Sequence, residues 1–61
     1  MKHLDLELVD ALADCQAMID NDSPTEAIQE FMNFVLKFWP ESMVWLYLDL
    51  LDYPDVAKFI G

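Results

Sequence analysis

The sequence predicts an all-α protein, a small bundle of three main helices with a short fourth helix at the C-terminal end. Apolar residues recur at three- and four-residue steps along most of the chain, as they do on one face of a helix. The three prolines lie where such segments begin or end, and the one glycine is the last residue. We expect one domain over residues 1–61, with helices at about 4–20, 24–38, 41–51 and 54–60.

The first predicted helix carries most of its apolar residues on one face. They are Leu4, Leu8, Ala11, Leu12, Cys15, Met18 and Ile19. A stripe of acids lies beside that face: Glu7, Asp10 and Asp14. Like charges at this spacing cost a few tenths of a kcal/mol per pair, roughly, so the stripe is either tolerated or used in binding. A second, weaker apolar surface available to another chain consists of Leu6, Val9 and Ala13.

Polar turn-forming residues at positions 20–23 predict the end of the first helix. The next residues predict the start of the second helix, with Ser23 at the N-cap and Pro24 at the first helical position. Glu26, three residues after Ser23, completes a predicted capping box.

The second predicted helix separates its two faces clearly. The apolar face has Ala27, Ile28, Phe31, Phe34, Val35 and Phe38. The polar face has Glu26, Gln29, Glu30, Asn33 and Lys37. The three phenylalanines form an aromatic ridge, which we expect in the core. Stacking on nucleic-acid bases is not expected, because no basic residues alternate with these rings.

Residues 40–52 form the most apolar segment of the chain. If this segment is helical, its apolar side chains cover an arc of roughly 200° around the helix, about twice the width of an ordinary core-facing stripe. They are Met43, Val44, Leu46, Tyr47, Leu48, Leu50 and Leu51. Such a helix should pack between neighbours, some of them in a second subunit. A strand is the alternative, but no partner strand is apparent elsewhere in the chain.

Trp45 departs from this pattern, because it falls on the polar arc between Glu41 and Asp49. It is therefore either a packing residue under a neighbouring helix or an exposed contact residue. After Pro54, an apolar edge consisting of Val56, Phe59 and Ile60 predicts a short last helix that docks on the core.

Composition restricts the possible partners. Twelve acidic residues, three lysines and no arginine give a net charge of −9, which repels nucleic-acid phosphates and anionic membranes. We therefore expect no direct nucleic-acid or membrane binding, and any partner should present a basic or apolar surface. The alternative is that the charge serves solubility alone. A 61-residue core is marginal by itself, so we also expect a homo-oligomer, most simply a two-fold dimer.

No constellation of residues indicates catalysis, a metal site or a cofactor site. One cysteine and one histidine cannot form an intramolecular disulfide or a closed zinc site. His3 lies near the terminus, and Cys15 has no predicted basic neighbour, so we expect it to be a small buried apolar residue. The first ten residues alternate acids with leucines, and we expect no secretory signal, no membrane span and a cytoplasmic setting.

The sequence therefore predicts a non-enzymatic protein–protein interaction module, such as an inhibitor, an adaptor or an antitoxin-like regulator. The predicted partner-binding residues are Trp45, Asp49, Asp52, Glu7, Asp10 and Asp14. In one alternative, these carboxylates imitate DNA phosphates and occupy the nucleic-acid site of a basic partner. In a second alternative, the chain assembles only with itself.

Overall fold

The computed structural model describes residues 4–60, in which all regular structure is helical. Four helices follow one another: α1 (Leu6–Asp20), α2 (Thr25–Phe38), α3 (Glu41–Leu51) and α4 (Pro54–Ala57). This confirms the all-α prediction, and residues 40–52 contain no strand. α1 begins two residues later than expected. α4 is a single turn, after which the chain continues to Ile60 through shorter-range backbone hydrogen bonds.

α1 is the helix that the other three pack against. Its Leu8, Leu12 and Cys15 are fully buried, and their four- and three-residue spacing places them along one line of the helix. The remaining buried core residues are Ile28, Met32, Val35, Val44, Tyr47, Leu48 and Val56. The predicted burial of Cys15 is confirmed, and burial raises the pKa of its thiol. Leu4, which was expected on the core face, precedes the helix and is exposed.

The junction between α1 and α2 differs from the predicted capping box. Asp22 takes a left-handed conformation with φ of 58°, and its N–H donates to the Ile19 carbonyl at 3.1 Å. The N–H of Ser23 donates to the Met18 carbonyl at 2.9 Å, which completes a Schellman-type end for α1. Pro24, and not Ser23, is the N-cap of α2, and no side chain caps that helix. The capping-box prediction was wrong because Ser23 lies one residue too early.

The aromatic ridge of α2 lies largely outside the core, contrary to the prediction. Ile28, Met32 and Val35 are the buried residues, and they define a line about 90° away from the ridge on the helix surface. Phe34 and Phe38 are 52% and 65% exposed, and their ring centroids lie 4.8 Å apart. α2 packs mainly against α1, so only a narrow stripe of its broad apolar face is covered.

α3 is also less enclosed than expected. Val44, Tyr47 and Leu48 are buried, whereas Leu46 and Leu50 are 57% and 63% exposed. α3 packs mainly against α1 and α4. These two helices therefore cover only part of the wide apolar arc that the sequence predicted for α3.

Asp5 connects three separate segments at what we call the Asp5 junction. Its carboxylate accepts hydrogen bonds from the Trp39 indole N–H at 2.7 Å and from the Leu8 backbone N–H at 3.2 Å. Its own backbone N–H donates to the Tyr47 hydroxyl oxygen at 2.8 Å. The bond from Trp39, followed by the bond from Leu8, lowers the pKa of Asp5 below its ordinary value of 3.8. The start of α1 is thereby held to the α2–α3 connection and to α3.

Candidate interaction site

An open groove lies between the second half of α3 and α4, and we call it the Trp45 groove. Its volume is about 200 Å³. It is lined by Trp45, Leu48, Asp49, Asp52, Tyr53, Pro54 and Ala57. The chain reverses beside it because Asp52 takes a left-handed conformation with φ of 60°, after which the Tyr53 N–H donates to the Leu48 carbonyl at 3.1 Å. This reversal brings Tyr53 and Pro54 back against α3.

Trp45 stands at the edge of the groove and is 44% exposed. Its indole N–H donates to the Glu41 carboxylate at 3.2 Å, one turn earlier on the same helix. Of the two alternatives that the sequence left open, the structure shows the exposed indole. Its side chain lines the groove together with residues of α4, and a little under half of its surface remains open to solvent.

The polar rim of the groove is acidic. Asp49 and Asp52 are both exposed, and Glu41 lies one turn before Trp45. Over residues 4–60, the one ion pair joins Lys58 to Asp55 at 3.5 Å, with both side chains largely exposed. The carboxylates at the rim therefore have no cationic partner in the described part of the chain.

The groove brings together three of the six predicted binding residues. Glu7, Asp10 and Asp14 are exposed on α1 and do not line the groove. Across the described residues, no group of three or more histidine, cysteine, aspartate or glutamate side chains could hold a metal ion. His3 lies outside the described residues.

Sequence reasoning missed part of the apolar lining. Tyr53, Pro54 and Ala57 line the groove, although the sequence indicated only that Pro54 starts a short helix. The pattern that carries this information is the acid–aromatic–proline run at residues 52–54, which ends one helix and begins the next. It also missed Phe34 and Phe38 as surface residues.

No helix among residues 4–60 is both long enough and apolar enough to cross a lipid bilayer.

Comparison with protein-family models, curated proteins and solved structures found no match for this chain. The fold and the groove define a small acidic helical protein with partly exposed aromatic side chains on its surface.

Proposed function

We propose that the chain is a protein–protein interaction module that binds a partner at the Trp45 groove. The observation that carries this proposal is a tryptophan, 44% exposed, that lines an apolar groove with an acidic rim. An apolar side chain of the partner would enter the groove, and neighbouring lysine or arginine residues would face Asp49 and Asp52. Inhibitors, adaptors and antitoxin-like regulators are the functional classes that act through such contacts.

Tryptophan suits this role for a physical reason. It contributes a large apolar area while losing the freedom of only two side-chain torsions, and it dominates the binding energy at many interfaces. The bond from the Trp45 indole to Glu41 already restricts its orientation. A partner would therefore meet an indole that is partly organised for contact before binding.

Charge would act mainly on the rate of encounter. A net charge of −9 attracts basic surfaces over a distance set by salt, and a basic residue beside an acidic rim fixes the orientation of the partner. The apolar groove would supply the larger share of the affinity, since exposed charge pairs contribute little each.

The test is affinity capture from a cell lysate followed by titration of the captured protein. The immobilised baits are the wild-type chain, Trp45→Ala, and the matched control Leu46→Ala, which removes an exposed apolar side chain from the next position. We expect a partner to bind wild type and the control. We expect Trp45→Ala to weaken binding by about 2 kcal/mol, or roughly 30-fold. Equal affinity for all three baits would refute the proposal.

The DNA-mimic alternative predicts a different result in the same experiment. There, neutralising Asp10 and Asp14 together would abolish binding, and affinity would fall steeply as salt rises. Trp45→Ala would then have little effect. If neither low nor high salt yields a partner, self-assembly would be the remaining function.

A further inference from the structure

We propose that a second copy of this chain packs on the aromatic ridge of α2, which forms an antiparallel two-fold dimer. The ridge consists of Phe31, Phe34 and Phe38, and Phe34 and Phe38 are more than half exposed. Ala27 lies on the same stripe of the helix, one turn before Phe31. The ridge lies on a different helix from the Trp45 groove, so the two proposals stand or fall separately.

Charge at the edge of the ridge is self-complementary. Glu30 and Lys37 are both exposed and lie seven residues apart, which is about 10.5 Å along the helix. At about 100° per residue they fall within roughly 20° of each other, along the same edge of the ridge. Neither takes part in the one ion pair of residues 4–60.

An antiparallel arrangement satisfies both charges at once. A two-fold axis midway between positions 33 and 34 places each Glu30 opposite Lys37 of the second copy. Two identical ion pairs then form along the interface. The antiparallel direction also sets the positive end of each helix dipole beside the negative end of the other.

The same axis fits the apolar side chains. Phe34 lies next to the axis, so the two copies of this ring meet there and supply an aromatic pair. Phe38 lies opposite the gap between Ala27 and Phe31 of the second copy. The small Ala27 side chain leaves room for the incoming ring, and one alignment therefore accommodates both the rings and the charges.

The other exposed apolar surfaces lack this self-complementarity. Lys37 is the one basic residue in α1, α2 and α3, so α1 or α3 paired with its own copy would place acids near acids. On the predicted α1 surface, Val9 also packs against the core of its own chain. The structure therefore favours α2 over the two faces that the sequence suggested, and a 61-residue core has most to gain from such pairing.

The first test is the mass of the protein by sedimentation equilibrium. We expect wild type to have twice the 7.1 kDa chain mass at micromolar concentration. The double variant Phe34→Ser/Phe38→Ser should be monomeric, with its dissociation constant raised at least about 100-fold. The matched control Leu46→Ser/Leu50→Ser on α3 should remain dimeric. Far-ultraviolet circular dichroism checks that each variant is folded.

A charge exchange then tests the two-fold axis itself. Glu30→Lys and Lys37→Glu should each weaken the dimer about five- to tenfold, because both ion pairs become repulsive. The double exchange should restore the affinity to within about threefold. Glu30→Lys reduces the net negative charge of each copy from −9 to −7. If general repulsion between the copies were the only effect, this variant would therefore dimerise more tightly.

Four results would overturn the proposal. They are a wild-type monomer throughout the concentration range, a dimer that survives the double serine variant on α2, opposite effects of the two single charge variants, and a monomeric Trp45→Ala. Trp45→Ala should leave the mass unchanged. Loss of dimerisation in that variant would instead assign the interface to the groove.

Discussion

The two tryptophans stand six positions apart and use the same chemical group in different ways. Each donates its indole N–H to a carboxylate, at 2.7 Å for Trp39 and 3.2 Å for Trp45. The acceptor for Trp39 is Asp5, 34 positions away in sequence, whereas the acceptor for Trp45 is Glu41, four positions away. A distant acceptor joins two parts of the fold. A local acceptor only orients a side chain on its own helix.

The two surroundings reinforce this difference. At the Asp5 junction, the carboxylate that holds Trp39 also caps α1, so movement of the indole would disturb the start of that helix. At the Trp45 groove, the bond to Glu41 lies within α3, so breaking it removes no hydrogen bond between helices. The bond at the Asp5 junction therefore joins parts of the fold, whereas the bond at the Trp45 groove does not.

Replacing each tryptophan with alanine should separate these roles most clearly. We expect Trp39→Ala to lower the free energy of unfolding by about 2–3 kcal/mol, because a half-buried indole and an inter-helix hydrogen bond are lost together. Trp45→Ala should lower it by less than about 1 kcal/mol. Urea unfolding followed by circular dichroism measures both.

A protein of this size can lose its fold entirely when Trp39 is replaced by alanine. Trp39→Phe is therefore the companion variant, since it keeps an aromatic ring and removes only the N–H donor. We expect it to cost about 1 kcal/mol. Equal destabilisation by the two alanine variants would show that the comparison between the tryptophans is wrong.

Lowering the pH should weaken the Asp5 junction, because Asp5 becomes protonated. The loss of stability should be smaller than that caused by removing the Trp39 indole. The folded pKa of Asp5 lies below the unfolded one, so its ionised carboxylate stabilises the fold above the unfolded pKa. That contribution is lost as pH falls through the folded pKa. Asp5→Asn should be less stable than wild type at neutral pH, and the difference should shrink as the pH is lowered through this range.

The quantity to follow is the difference in stability between wild type and Asp5→Asn, because the other acidic residues become protonated in both proteins. Urea midpoints measured at a series of pH values provide it. A constant difference for Asp5→Asn would contradict a role for the ionised carboxylate at the junction.

The two left-handed aspartates should give the smallest effect. Asp22→Gly and Asp52→Gly should each raise the free energy of unfolding by about 0.5–1 kcal/mol, since glycine takes φ near 60° with less steric cost. Asp52 also lines the Trp45 groove, whereas Asp22 does not. We expect Asp52→Gly to stabilise the fold and to lower the affinity for the partner. We expect Asp22→Gly to change stability alone.

The positions of the helices were accessible to sequence reasoning because they depend on local pattern. The prolines and the three- and four-residue spacing placed Thr25–Phe38 and Glu41–Leu51 without knowledge of any neighbour. Helix ends were less accessible. Ser23 has the chemistry of an N-cap, but its backbone N–H completes the end of α1.

Burial depends on how many neighbours each helix meets, and periodicity does not contain that information. Met32 was not predicted in the core, yet it is fully buried, whereas Phe34 and Phe38 were expected there and are exposed. The bond between Asp5 and Trp39 could not be predicted either, because it spans 34 positions. For the site, Trp45 stood out by its place on a polar arc, while Tyr53 joins it only through the tertiary fold.

The carboxylates around Trp45 should make the fluorescence of this indole sensitive to the charge of a quencher. Iodide and caesium ions both quench indole fluorescence on collision, but the acidic rim should repel the anion and concentrate the cation near Trp45. The half-buried Trp39, held by Asp5, should be protected from both ions. Selective quenching by caesium would therefore report on Trp45 alone, and a bound partner would be detected without any label as the loss of that quenching.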